Sequence, residues 1–106
     1  MKRLLMDMRK TVENELLRAQ TGFGTHYHSP HEGYGVLTEE MFEANQEVSR
    51  LTKASQVLLF DLHENNNQGM TDCLDTIEEY ATLAACEYVQ VAAVARKMRE
   101  SLEVKP

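Results

Sequence analysis

Apolar positions recur every three or four residues along most of this chain. Leu5, Met8, Val12, Leu16 and Ala19 form such a stripe, which predicts a first helix over residues 2 to about 20. The stretch TGFGTHYHS, 21 to 29, interrupts it with two glycines. In the SPHE that follows, Ser29 is placed to N-cap a second helix and Pro30 suits its first position. Glu32 stands where a capping box needs its acid. This helix is expected to run from Pro30 to about Glu64. Its buried positions are expected to be Tyr34, Leu37, Met41, Val48, Leu51, Leu58 and Leu62. Gly33 and Gly35 weaken its first turns by roughly 1 kcal/mol each relative to alanine. Their presence there suggests a close approach to the backbone. NNNQGM, 65 to 70, is expected to be a turn, with a third helix starting at Thr71 or Asp72 as N-cap and ending near Glu103. Its stripe is Leu74, Ile77, Ala81, Ala84, Tyr88, Val91, Ala95, Met98 and Leu102, which is heptad spacing and implies close helix-on-helix packing.

Three helices, two of them long, predict an all-α fold: a long antiparallel hairpin plus one more helix. Helices of roughly 30 residues are about 45 Å long. A chain of 106 residues cannot cover such arms on every side. A homodimer or homotetramer completing a four-helix-type bundle is therefore expected.

Length and composition fit a single domain over residues 1–106, with 42% apolar and 26% charged residues. The net charge of −6 argues against a nucleic-acid polymer as the main partner. No apolar run approaches the ~20 residues that span a bilayer, so no membrane association is expected. MKRLLMDMRK has no long apolar core behind it and is not expected to be a signal peptide. Cys73 and Cys86 lie 13 positions apart in one predicted helix. That is about 20 Å along the axis, too far for a disulfide between them. Free thiols fit a cytoplasmic protein, and Cys86 is expected to be a small core residue.

The candidate chemistry begins in TEEMFEANQEV, 38 to 48, where Glu39, Glu40, Glu43 and Glu47 recur at helical spacing. Glu40, Glu43 and Glu47 fall within an arc of about 60°. Carboxylates that close repel one another unless water or a cation lies among them, and hard divalent cations prefer oxygen ligands. The third helix carries a matching oddity. In YATLAACEYVQVAAVA, 80 to 95, the only charge is Glu87, and Gln90 follows one turn later. A carboxylate in so apolar a stretch is costly unless it is paired or metal-bound. Two antiparallel helices bring Glu40 and Glu43 opposite Glu87 and Gln90, the i, i+3 arrangement that builds metal sites inside helical bundles.

With these segments the chain resembles the MazG-like all-α nucleoside triphosphate pyrophosphohydrolases. Their signature is two adjacent glutamates, a third three positions later, and a Glu-x-x-Asp on the next helix. EEMFE, 39 to 43, matches the first part, and EYVQ, 87 to 90, stands where the second is expected. The lead-in SPHEGYGVLTEE is similar to a subgroup in which such a segment opens the metal-binding helix. The resemblance covers about residues 26–50 and 84–99. Gln90 departs from the signature Asp, and the 44 positions between Glu43 and Glu87 exceed the usual gap, lengthening both arms between about Val48 and Leu83.

The resemblance implies hydrolysis of a nucleoside triphosphate to monophosphate and pyrophosphate, assisted by Mg²⁺ or Mn²⁺. It makes Glu40, Glu43 and Glu87 direct metal ligands and Gln90 a weaker one. Glu39 and Glu47 are candidates for a second ion or for the water-orienting base. Lys97 lies about 20° from Gln90 around the helix, two turns on, and is a candidate phosphate contact, with Arg50 as another. His31 and Tyr34 are candidates to line a base pocket. His26, His28 and His31 match no common zinc spacing, and their loop is a candidate to fold over the nucleotide. Two other readings stay open: a catalytically weak or inactive regulatory or interaction protein on the same fold, and a metal-free bundle whose acids only solubilise it.

Overall fold

The computed structural model describes the backbone of residues 1–103, with every side chain among them except that of Phe23. The fold is all-α, with helices α1 (Lys2–Phe23), α2 (Pro30–His63) and α3 (Asn67–Glu103) in chain order. The helices α2 and α3 form a long antiparallel hairpin, and α1 packs on α3.

Each boundary has a local cause. Gly22 is tolerated inside α1, which runs on to Phe23. The break comes at Gly24, whose φ of 88° suits only glycine without strain. Ser29 caps α2 as expected, accepting the Glu32 N–H at 3.1 Å, and Pro30 occupies the first position. The start of α3 lies earlier than Thr71 or Asp72. Asn66 accepts the Gly69 N–H through Oδ1 at 2.9 Å, and the Met70 N–H bonds to its carbonyl at 2.9 Å. Asparagine is as good a cap as aspartate, so the helix starts inside the supposed turn. Gly69 is there for space: a Cβ would lie 2.6 Å from Asn66 Nδ2 and 2.7 Å from Asp61 Oδ2. Asp61 is buried and accepts the Cys73 S–H at 3.4 Å, closing the tip of the hairpin. Cys86, expected in the core, is exposed.

On each arm of the hairpin one predicted column is turned in as expected and the other is displaced by one residue. Of the expected α2 positions, Leu37, Leu51 and Leu58 are turned in, with Ala44 between them fully buried. The other column is Gly33, Glu40, Glu47, Ala54 and Asp61; Tyr34, Met41, Val48 and Leu62 lie outside. In α3 the column Ile77, Ala84, Val91 and Met98 holds. Its companion is Cys73, Tyr80, Glu87, Val94 and Ser101; Leu74, Ala81, Tyr88, Ala95 and Leu102 are exposed. Small residues, Gly33, Ala44, Ala54 and Ala84, are buried along the hairpin, but size does not explain the shift, because Tyr80 and Val94 turn in while Ala81 and Ala95 turn out. The shift carries Glu40, Glu47 and Glu87 into the seam. By helical geometry, the two displaced columns share the side of the hairpin that α1 leaves open.

Candidate metal centre

The acidic seam positions meet at one level of the hairpin. Glu40 and Glu43, one turn apart in α2, and Glu87 from α3 each bring a carboxylate oxygen to within 4.8 Å of the others. Glu40 and Glu87 are half-buried and Glu43 is exposed, so the group opens to one side. Burial pushes the Glu40 carboxyl above the usual carboxylate range, and the charges of Glu43, Glu87, Glu39 and Glu15 push it further. Three acids held this close favour either protonation or a cation. Their all-oxygen donor set fits a hard divalent ion such as Mg²⁺ or Mn²⁺.

Gln90 lies elsewhere than expected. It faces α1, where its Nε2 donates to Glu15 Oε1 at 2.8 Å. Glu15 also accepts from Arg18 Nε at 3.1 Å and pairs with the Arg18 terminal nitrogen. Arg18, with help from the Gln90 amide, holds the Glu15 carboxyl below its ordinary range despite burial.

Beside Glu40 and Gln90 a cavity of about 580 Å³ opens between the three helices and the loop before α2. This is within the usual size of a small-molecule site. Its apolar wall is Leu16, Ala19, Val36, Ala93 and Val94; Arg18, Tyr27, His28, Glu32 and Lys97 complete the lining. Lys97 is only 6% exposed and has no carboxylate within 4 Å among the described residues. Its Nζ rests 4.4 Å from the centroid of the Tyr27 ring. Tyr27 is fixed in turn, its N–H donating to Ser101 Oγ at 2.9 Å. Burial, with the charges of Glu32 and Glu40, raises the Tyr27 phenol, which keeps its proton.

Of the residues expected at a site, the structure brings together Glu40, Glu43 and Glu87, and places Lys97 and Gln90 on the adjoining cavity. Glu47 is in the seam, paired with Arg50 at 2.9 Å through Oε1, while its buried Oε2 has no partner among the described residues. Arg50 is outside the cavity, with its guanidinium 5.9 Å from the Tyr80 ring centroid. Glu39 and His31 are exposed, and Tyr34 is 62% exposed; none of the three lines the cavity. Sequence reasoning missed Glu15, Arg18 and Tyr27. Glu15 adjoins the apolar stripe of α1, the only signal it gave; Tyr27 gave none.

No family model, no curated protein and no solved structure matches this chain. What the site can do follows from its own geometry. It is a carboxylate triad beside a cavity lined by a largely buried lysine and by an arginine, suited to an anion that also carries a divalent cation.

Proposed function

We propose that this protein is a Mg²⁺-dependent nucleoside triphosphate pyrophosphohydrolase that removes unwanted nucleotides from the pool. The observation that carries the reading is the convergence of Glu40, Glu43 and Glu87 beside a cavity lined by Lys97. The similarity of residues 26–50 and 84–99 to MazG-like enzymes supports it. Glu40, Glu43 and Glu87 would hold the metal. When bound, the ion neutralises phosphate oxygens and lowers the pKa of a water molecule.

The protein's own groups supply binding and orientation. Lys97 donates to a phosphate oxygen from a largely dry setting, where a charge-assisted bond is strongest. Arg18, 68% exposed at its side chain, adds a second donor from α1. Tyr27, with Val36 and Val94, offers apolar surface to a base. Glu39, exposed and next to the triad in sequence, is the candidate to orient water. The test is Mg²⁺-dependent pyrophosphate release over a panel of canonical and modified triphosphates. Turnover of at least one, lost in Glu87→Gln, is expected. No turnover of any, without a metal-induced rise in melting temperature, refutes the reading. Metal binding without turnover assigns the chain to the regulatory alternative.

The partner is proposed to be a second copy. A compact protein of 12.1 kDa exposes about 6,000 Å², whereas this chain exposes 7951 Å². Its radius of gyration is 18.1 Å, against about 13 Å for a compact domain of this length. The excess area, about 1,900 Å², exceeds the ~800 Å² per partner of a standard interface. Tyr34, Met41, Val48, Leu74 and Tyr88, on the side that α1 leaves open, are among the exposed apolar residues. Free thiols and the lack, among the described residues, of a helix long and apolar enough to cross a membrane fit the cytoplasmic location proposed with this role.

A further inference from the structure

We propose that α1 is a movable wall of the cavity, one that opens independently of the hairpin and is held shut when a nucleotide bridges it to α2. The proposal rests on the function proposed above and adds which part of the protein answers to the ligand.

Two walls of the cavity do not meet. Leu16, Arg18 and Ala19 of α1 line it on one side, and Glu32, Val36 and Glu40 of α2 on another. Among the described residues, no Cα of α1 lies within 8 Å of a Cα of α2. Only α3 packs on both helices. A space of about 580 Å³ thus stands where a closed three-helix bundle would have its third helix-to-helix contact.

The hold of α3 on α1 is short. Leu16, 4% exposed, is the one buried residue of α1 among those described. Met8, Val12 and Ala19 on the same stripe are half-buried, and the stripe runs on to Leu5 with no cover. Residues 1–7 are all exposed. Among the described residues, one hydrogen bond joins an α1 side chain to α3, that of Glu15 with Gln90. Elements with few buried apolar contacts open locally, ahead of the rest of a fold. A pivot lies at the end of the helix. Gly24 takes a φ of 88°, and three residues on, the Tyr27 N–H is fastened to Ser101 Oγ of α3. Movement of α1 about Gly24 therefore stops at Tyr27 and leaves the seam between α2 and α3 intact.

A metal-bound triphosphate joins what the chain leaves apart. Arg18 of α1 takes the anion from one wall while Glu40 of α2 holds its cation from the other. Ligand that binds only the shut form suppresses the opening of α1 by the factor 1 + [L]/Kd.

The test is hydrogen–deuterium exchange read over peptides covering residues 8–20 and the seam around Ala44 and Ala84. The probe is a triphosphate bound in the panel above, made uncleavable by a methylene α,β-bridge and supplied with Mg²⁺; calorimetry gives its Kd. In the free protein the α1 amides are expected to exchange faster than those of the seam. With the probe at about 100 Kd they should slow roughly 100-fold. If α1 exchanges as slowly as the seam in the free protein, α1 does not open on its own and the proposal is overturned. It is overturned too if the probe binds and α1 exchange stays unchanged, and in both cases the nucleotide site stands. If no triphosphate binds, the function falls and the movable wall falls with it.

Discussion

The Lys97 ammonium lies 4.4 Å from the centroid of the Tyr27 ring, although Glu32 and Glu40 line the same cavity. An aromatic face is a weaker partner for a cation than a carboxylate, worth about 0.5–2 kcal/mol. The cation is therefore kept available. Lys97→Met retains the buried stem and removes the charge. The melting temperature should change little, because the packed stem is kept and the ammonium has no ion-pair partner among the described residues to lose. Triphosphate affinity should fall roughly 10- to 100-fold, the loss expected for a hydrogen bond to a charged group. Melting curves and titration with a nucleotide–Mg²⁺ complex measure the two effects. An equal affinity in the variant removes Lys97 from the site.

The same residues show what the sequence disclosed and what it concealed. Three helices, their order and the Ser29 cap were legible because each depends on neighbours along the chain. The triad was legible because Glu40, Glu43 and Glu87 break the apolar pattern at helical spacing. The face of each long helix was only half legible. Leu37, Leu51 and Leu58 in α2, and Ile77, Val91 and Met98 in α3, were placed inward correctly. The companion columns were taken one residue too far on, at Tyr34 and Met41 rather than Gly33 and Glu40. Hydrophobicity ranks Met41 above Glu40 and Tyr88 above Glu87, yet the acids are turned in and their apolar neighbours are exposed. Glu15 was concealed for a different reason. Its partner Gln90 is 75 positions away, and no periodicity in α1 reports a contact of that kind.

Gly69 provides a test of the hairpin tip. Glycine to alanine inside a helix ordinarily gains up to ~1 kcal/mol. Here the new Cβ would meet Asp61 Oδ2 at 2.7 Å and Cγ at 2.8 Å, and Asp61 is held by Cys73. Overpacking costs about 1–3 kcal/mol and outweighs the gain. Gly69→Ala should therefore be destabilised by about 1 kcal/mol in urea unfolding. A more stable variant would mean that the tip yields freely.

Two carboxylates of the site respond to pH in opposite directions. The Glu40 carboxyl is raised in the folded protein, so the native state binds the extra proton. Its contribution to stability falls as pH rises from the unfolded value, about 4.3, through the raised folded one. The Glu15 carboxyl is lowered, so its contribution is present above the unfolded value and is lost as pH falls through the folded one. Metal-free Glu40→Gln should thus melt higher than the parent near pH 7, and the difference should shrink toward pH 4. Each ~1 kcal/mol relieved corresponds to about 4–8 °C in a domain of this size. Mg²⁺ should raise the parent's melting temperature and leave Glu40→Gln unmoved. A pH-independent difference would remove the electrostatic origin.

The open side of the hairpin gives the last prediction. Met41 and Tyr88 belong to columns displaced from the seam, and each is 43% exposed in the single chain. The Tyr88 hydroxyl already donates to Asn45 Oδ1 at 3.0 Å, which ties the two arms together on that side. Exposed apolar side chains gathered on one face mark interaction surfaces. A second hairpin laid against it would complete four helices, each burying the column that its own seam leaves out. Sedimentation at micromolar concentration should therefore show at least a dimer. Met41→Glu puts an unpaired charge into that contact and should shift the protein to monomer, with a lower melting temperature that no longer depends on concentration. Because Met41 lies outside the triad and the cavity lining, Mn²⁺ binding by the dissociated chain would show whether one copy holds a complete cation site. A parent that sediments as a monomer at 100-fold higher concentration, about 100 μM, excludes the second copy as the cover of this face.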